Sequence, residues 1–196
     1  MIQRSEYLRK VIHIFNLVIP FTYLFVLESR FQVLRILVPL TLFAIVIEYL
    51  RFRSIVIKKI FNNFLKSMLR LHETNGKFTG ATWVFIGSTL TILIFPKEIA
   101  VISLVYMSLG DATAGLVGKK IGKTKFYNKT IEGSIAGLIV CLLSGYFVHL
   151  TLPLVVVISG AFAAMFIELM PISIDDNLSV PLFGGTIMVI VSTVVI

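Results

Sequence analysis

Seven apolar stretches, each close to the length needed to cross a lipid bilayer, leave this chain little room for anything else. They run Val11–Leu27, Phe31–Leu50, Thr79–Phe95, Glu98–Leu116, Ile131–Leu150, Pro153–Met170 and Leu178–Ile196. A transmembrane helix takes about 20 residues, so these runs use up most of the 196 residues. The composition agrees: 57% of residues are hydrophobic and 14% charged, with a mean hydropathy of +0.96. A soluble domain is about half apolar and about a quarter charged, and a disordered chain is poor in apolar residues. Both classes are excluded. A disulfide scaffold is excluded as well, because Cys141 is the single cysteine. The expected fold is all-α: one integral-membrane domain over 1–196, with about seven transmembrane helices and no internal repeat or linker.

The basic residues fix an expected orientation. Of 18 Lys and Arg, fifteen fall on the side that holds the N-terminus and precedes the third and fifth runs. Arg30 and Lys97 fall on the other side, and Arg35 lies just inside the second run. Lys and Arg collect in cytoplasmic loops, so the rich side is cytoplasmic and the C-terminus lies outside. The net charge of +8 is accounted for in this way, with no nucleic-acid partner. Between Arg51 and Lys77, Ile57, Ile60, Phe61, Phe64, Leu65, Met68 and Leu71 recur at helical spacing, and Lys58, Lys59, Lys66 and Arg70 fill the other face. That pattern predicts one amphipathic, interfacial helix. The first run follows Arg9-Lys10 but has no small-residue cleavage site after it, so it reads as a retained helix.

Ionisable groups at membrane depth are costly and mark function. Here His13, Glu48, Asp111, Glu168, Asp175 and Asp176 all lie toward the cytoplasmic ends of their runs, as does the lysine-rich segment Gly118–Thr130. A transporter would keep such groups near the midplane. The richest segment joins Gly110-Asp111 to Gly115, Gly118, Lys119, Lys120, Lys123 and Asn128–Ser134. A carboxylate, lysines and closely spaced glycines suit a metal–nucleoside triphosphate: Mg²⁺ takes carboxylates plus phosphate oxygens, and glycines let backbone N–H groups approach phosphate. The segment is not a Walker A loop, which needs four residues between its glycines. Gly115 and Gly118 equally suit close helix packing in a membrane, and Asp111 could instead be a structural partner of a lysine. Adjacent Asp175 and Asp176, with Glu168 before them, read either as metal or phosphate ligands or as a solvated acidic loop. Arg9-Lys10 reads as a topology signal, with His13 one turn further in. Cys141 reads as packing, and His72 and His149 as interfacial residues.

The run Gly110–Ala136, GDATAGLVGKKIGKTKFYNKTIEGSIA, resembles the signature of the CTP-dependent lipid kinases, which include dolichol kinase, phytol kinase and a CTP-dependent diacylglycerol kinase. Glu6–His13 (EYLRKVIH), Asn75–Trp83 (NGKFTGATW) and Asp175–Pro181 (DDNLSVP) are similar to further segments of that family. The resemblance implies CTP as phosphate donor, Mg²⁺, and a membrane lipid alcohol (a polyprenol, a phytol-like isoprenoid or diacylglycerol) as acceptor. It implies Asp111, Asp175 and Asp176 as metal ligands and Asp111, Asp176, Lys129 and Glu132 as catalytic residues. Lys119, Lys120, Lys123, Thr130, Gly115, Gly118, Thr82 and His13 would bind the nucleotide, with Thr79–Thr82 lining the cleft. The expected product is a lipid phosphate made at the cytoplasmic surface. The related CDP-diacylglycerol synthases share a Lys-Thr-x-Glu-Gly element, so a cytidylyltransferase is the first alternative, and a small transporter or scaffold the second. Membrane lipids, and a second copy of the chain, complete the expected partners.

Overall fold

The computed structural model describes residues 4–65, 77–149 and 151–195, with side chains over 9–61, 77–149 and 151–195. Its helices are α1 (Arg4–Phe15), α2 (Val18–Phe25), α3 (Arg30–Arg53), α4 (Ile55–Leu65), α5 (Gly80–Ile94), α6 (Lys97–Ile121), α7 (Ile131–Val148), α8 (Leu154–Leu169) and α9 (Asp176–Val195). Four of them, α3, α6, α7 and α9, are long and apolar enough to cross a membrane, and α5 and α8 are shorter apolar helices. The protein is an all-α integral membrane protein in its main architecture.

Two details depart from the sequence reading. The first apolar run is not one helix: it breaks at Asn16-Leu17 into segments of 12 and 8 residues. Pro20 explains the break, because proline cannot donate to the carbonyl four residues earlier and its ring crowds that carbonyl, here Asn16. A small hairpin was also unexpected. β1 (Lys125–Phe126) pairs antiparallel with β2 (Lys129–Thr130), Lys125 opposite Thr130 and Phe126 opposite Lys129. Tyr127, first in its two-residue turn, has φ 51°, the positive value that a tight hairpin turn requires there. The basic amphipathic helix is represented by α4, whose Ile55, Val56 and Ile60 are exposed. Lys66, Met68, Arg70, Leu71, His72 and the Asn75-Gly76 turn lie outside the described residues.

Helix α6 is the axis of the bundle. Of its apolar window 78% is buried, against 22–28% for α3, α7 and α9. Ile99 to Tyr106 are buried almost completely. The surrounding helices turn large apolar side chains outward, among them Phe25, Phe43, Ile139 and Phe147, which fits a hydrocarbon solvent rather than water. Halfway along α6, Tyr106–Gly110 form a π turn, and Asp111 follows it directly. At the far end of the bundle the charged groups serve the backbone. Lys97 Nζ donates to Leu27 O at 3.1 Å and Arg30 Nη1 to Leu93 O at 3.3 Å. Among the described residues the buried charges, Lys10, Glu48, Arg51, Asp111 and Glu168, gather at the opposite end.

Candidate active site

Three carboxylates from distant parts of the chain meet at that end. Asp111 comes from α6, Glu168 from the last turn of α8 and Asp176 from the first position of α9, and one oxygen of each lies within 4.8 Å of the others. Asp111 is 9% exposed and Glu168 4%. Carboxylates this close raise each other's energy unless cations intervene. Two lysines do so. Lys10 Nζ, itself buried, lies 2.8 Å from Asp111 Oδ2 and 2.9 Å from the Asp111 carbonyl oxygen. Lys129 Nζ lies 3.0 and 2.9 Å from the two Asp176 oxygens and 3.3 Å from Glu168 Oε1, and it also donates to the Glu168 carbonyl. Burial alone would pull the Lys129 ammonium down, but the charges of Asp176 and Glu168 outweigh it and raise its pKa above the ordinary lysine value. Lys129 is therefore a fixed cation. His13 Nδ1 is 3.2 Å from Asp111 Oδ2, one turn from Lys10 on the same face of α1. Ser134 Oγ donates to Glu168 Oε2 at 2.9 Å.

Small residues and caps hold these groups in place. Gly115 lies one turn beyond Asp111, and a Cβ there would stand 2.5 Å from Lys10 Nζ. Glycine at 115 is what lets Lys10 reach the carboxylate. A Cβ at Gly133 would meet the Ala114 carbonyl oxygen at 2.5 Å and Gly118 Cα at 3.0 Å, so α6 and α7 cross in direct backbone contact. Thr130 caps α7 by accepting from Gly133 N at 3.3 Å. Glu132 accepts the Thr124 N–H at 2.9 and 3.2 Å and closes the segment that carries the hairpin. Just before α9, Asp175 Oδ1 accepts from Asn177 N at 3.0 Å and from Asn177 Nδ2 at 2.8 Å. Pro181 cannot donate to the Asn177 carbonyl, and Gly87 of α5 packs against that carbonyl.

A buried ion pair orders the segment before α5. Glu48 is 1% and Arg51 4% exposed, and they meet at 2.7 Å. Glu48 Oε1 accepts from Thr79 N at 2.8 Å and Thr82 Oγ1 at 3.1 Å, while Arg51 Nη2 donates to the Lys77 carbonyl at 2.7 Å. This fixes Lys77–Thr82 as a wall between two cavities. On one side is a polar cleft of about 670 Å³ lined by Lys77, Phe78, Trp83, the hairpin residues Phe126–Lys129, and Leu169–Asp176. On the other is an apolar groove of about 450 Å³ between α1, α3 and α5, closed by Thr79–Thr82, His13 and Asn177. Asp176 faces the cleft and its neighbour Asn177 the groove.

No family model matches the chain, and no solved structure matches it. It is 30% identical over 182 residues to an uncharacterized protein of Rickettsia prowazekii, covering 89% of this chain and 88% of that one. It is 27% identical over 164 residues to CTP-dependent diacylglycerol kinase 1 of Schizosaccharomyces pombe, covering 74% of each. It is 33% identical over 141 residues to probable phytol kinase 1, chloroplastic, of Glycine max, covering 60% of this chain and 45% of that one. Its homologues thus include a CTP-dependent diacylglycerol kinase and a probable phytol kinase, which supports the CTP-dependent lipid kinase family. Three of the segments that resemble that family supply residues that meet in space: Lys10 and His13, Asp111 and Lys129, and Asp176.

The convergence is selective. Of the residues expected from sequence, Asp111, Asp176, Lys129 and His13 are in or against the cluster. Asp175 is not one of its three carboxylates, because its Oδ1 holds Asn177. Glu132, Thr130, Gly115 and Gly118 support the geometry from behind it, and Thr82 is bound to Glu48. Lys119, Lys120 and Lys123 are exposed on the last turn of α6 and just after it, and they do not line the cleft. Sequence reasoning left Lys10 and Glu168 without a firm role, although both are central. The signal for Glu168 was charge inside an apolar run, whereas Lys10 borders one and reads as part of a topology signal.

Proposed function

We propose that this protein transfers the γ-phosphate of CTP to the hydroxyl of a membrane lipid alcohol at the cytoplasmic surface, giving a lipid phosphate and CDP. The observation that carries this reading is the buried cluster of three carboxylates and two lysines between a polar cleft and an apolar groove. Phosphoryl transfer is mainly positioning and charge neutralisation, and this cluster provides both. All-oxygen donors within reach of one ion suit a hard divalent cation, so Asp111, Glu168 and Asp176 would hold Mg²⁺. Bound there, the ion would neutralise charge on the phosphate oxygens. Lys129 and Lys10 flank the carboxylates and would meet the phosphates, and Phe78, Trp83, Phe126 and Tyr127 offer the cleft stacking surfaces for the base. The exposed Lys119, Lys120 and Lys123, outside the cleft lining, would attract a polyanion at longer range.

In the bilayer, the broken pair α1–α2 and the helices α3, α5, α6, α7, α8 and α9 would make seven crossings. The uneven distribution of Lys and Arg supports a cytoplasmic site. The experiment is a label transfer with purified protein and a lipid alcohol. From γ-³²P CTP the label is expected in the lipid, with CDP released, and from α-³²P CTP it is expected to remain in CDP. Lipid labelled from the α position, with pyrophosphate released, would overturn the kinase reading in favour of a cytidylyltransferase.

A further inference from the structure

Asn177 is 5% exposed, and its side-chain amide is oriented without ambiguity. Nδ2 donates to Asp175 Oδ1 at 2.8 Å and to the Gly80 carbonyl at 3.4 Å. A flipped amide would press its oxygen against a carboxylate oxygen, so Nδ2 is fixed by chemistry. The other atom, Oδ1, is buried and accepts no hydrogen bond. A buried acceptor without a partner carries a desolvation cost and needs an explanation. Asn177 lines the inner end of the apolar groove, whose outer rim carries the exposed side chains Ile12, Leu40 and Phe43. Those belong to the apolar outer surface, so the groove is open to lipid from the side. The residue before Asn177 is Asp176, which belongs to the carboxylate cluster.

We infer that the groove between α1, α3 and α5 is the acceptor site, that it takes the apolar chain of a lipid alcohol, and that Asn177 Oδ1 receives the alcohol's O–H. This rests on the kinase reading and names the residue that selects the acceptor. The selection is chemical. A neutral alcohol brings a donor to Oδ1, whereas an anionic lipid phosphate brings only acceptor oxygens to it and to the neighbouring Asp176. In the transfer, the alcohol oxygen forms a bond to the γ-phosphorus and loses its proton to solvent, while the bond from that phosphorus to the bridging oxygen breaks and the electron pair leaves with CDP. The product no longer has the O–H that Asn177 held, so the same residue that admits the substrate favours release of the product.

Two variants and two readouts test this. Asn177→Leu removes the acceptor, together with the amide donor, in a side chain of the same branched shape, and Ala44→Phe fills the groove from α3 without touching the carboxylate cluster. With geranylgeraniol or dioctanoylglycerol in mixed micelles, whichever is turned over, both variants should raise KM for the alcohol at least tenfold and leave KM for CTP within twofold. Alcohol KM values within twofold of wild type in both variants would overturn the proposal, whatever Asn177→Leu alone does to folding. Independently of turnover, a long-chain alcohol carrying a diazirine should label peptides of α3 and α5. Unlabelled geranylgeraniol should compete, and geranylgeranyl phosphate should compete at least tenfold more weakly. Adducts confined to other helices, or equal competition by the phosphate, would sink the assignment. Wild-type protein that labels in the groove but phosphorylates neither lipid would defeat the kinase reading and leave the groove assignment standing.

Discussion

Replacing Glu48 by Gln isolates the charge of a buried ion pair from its hydrogen bonds. The glutamine oxygen can still accept from Thr79 N and Thr82 Oγ1, now 2.8 and 3.1 Å from Oε1. What disappears is the charge facing Arg51 at 2.7 Å. At an effective dielectric of about 20 the gross attraction at that distance is about 6 kcal/mol. Desolvation of both groups offsets part of this, and removing one partner of such a pair costs about 3–5 kcal/mol. Arg51 retains the Lys77 carbonyl at 2.7 Å and lies 5.0 and 4.9 Å from the Phe52 and Phe61 rings, which favours the lower end, about 3 kcal/mol. For a chain of this size that corresponds to a fall in Tm of about 6–12 °C. The single tryptophan, Trp83, follows Thr82 directly and packs on Phe78 at 5.7 Å, so its fluorescence in detergent reports the transition. The double variant Glu48→Gln/Arg51→Met should recover to within about 1 kcal/mol of wild type, because removing both charges leaves no buried ion unpaired. A single variant that melts less than about 2 °C below wild type, or a double variant as unstable as the two single changes added together, would refute the reasoning.

Asp111→Asn removes the charge that pairs with Lys10 and would hold a cation, and activity should fall by at least about a hundredfold. More than about a tenth of wild-type activity, a barrier change under about 1.4 kcal/mol, would show that the charge is dispensable. Chelation with EDTA should abolish turnover, and Mg²⁺ should restore it; activity that persists through exhaustive chelation would remove the metal from the scheme. Lys120→Cys should react only with reagents that reach the cytoplasm and Thr151→Cys only with reagents applied outside, and labelling of both from one side would overturn the orientation. Gly115→Ala should cut activity by about tenfold or more by pushing Lys10 off Asp111, a loss of about 1.4 kcal/mol, while the variant still inserts into the membrane; unchanged kinetics would show that Lys10 has another route to the site.

The sequence made the helices readable because apolar length is a local property, and the apolar runs correspond to the helices from α3 onward. It made Asp111 and Lys129 readable because a carboxylate or a lysine among closely spaced glycines stands out by itself, and Asp176 because it adjoins a second carboxylate, Asp175. It could not give the pairings. Lys10 and Asp111 are 101 residues apart and Lys129 and Asp176 are 47 apart, and no spacing rule reports contacts across such intervals. Glu132 shows the converse. It sits inside the richest motif, yet its carboxylate is occupied by the Thr124 N–H, a backbone bond that depends on how the hairpin turns. The break at Asn16-Leu17 was available from Pro20, but the apolar run around it concealed it.

The π turn at Tyr106–Gly110 has a consequence for how this chain can change. One extra residue in a helix turns everything after it by about 100° relative to everything before it. The half of α6 before the turn is oriented by burial on all sides, and the half after it by the need to aim Asp111 at Glu168 and Asp176. These two demands are set by unrelated neighbours, and the inserted residue reconciles them. A deletion of Leu109 would make the helix regular and swing the carboxylate away from its companions without disturbing the apolar pattern. Length at this point, rather than residue identity, is therefore the quantity under constraint, and substitutions of similar size at Leu109 should be tolerated where a single deletion is not.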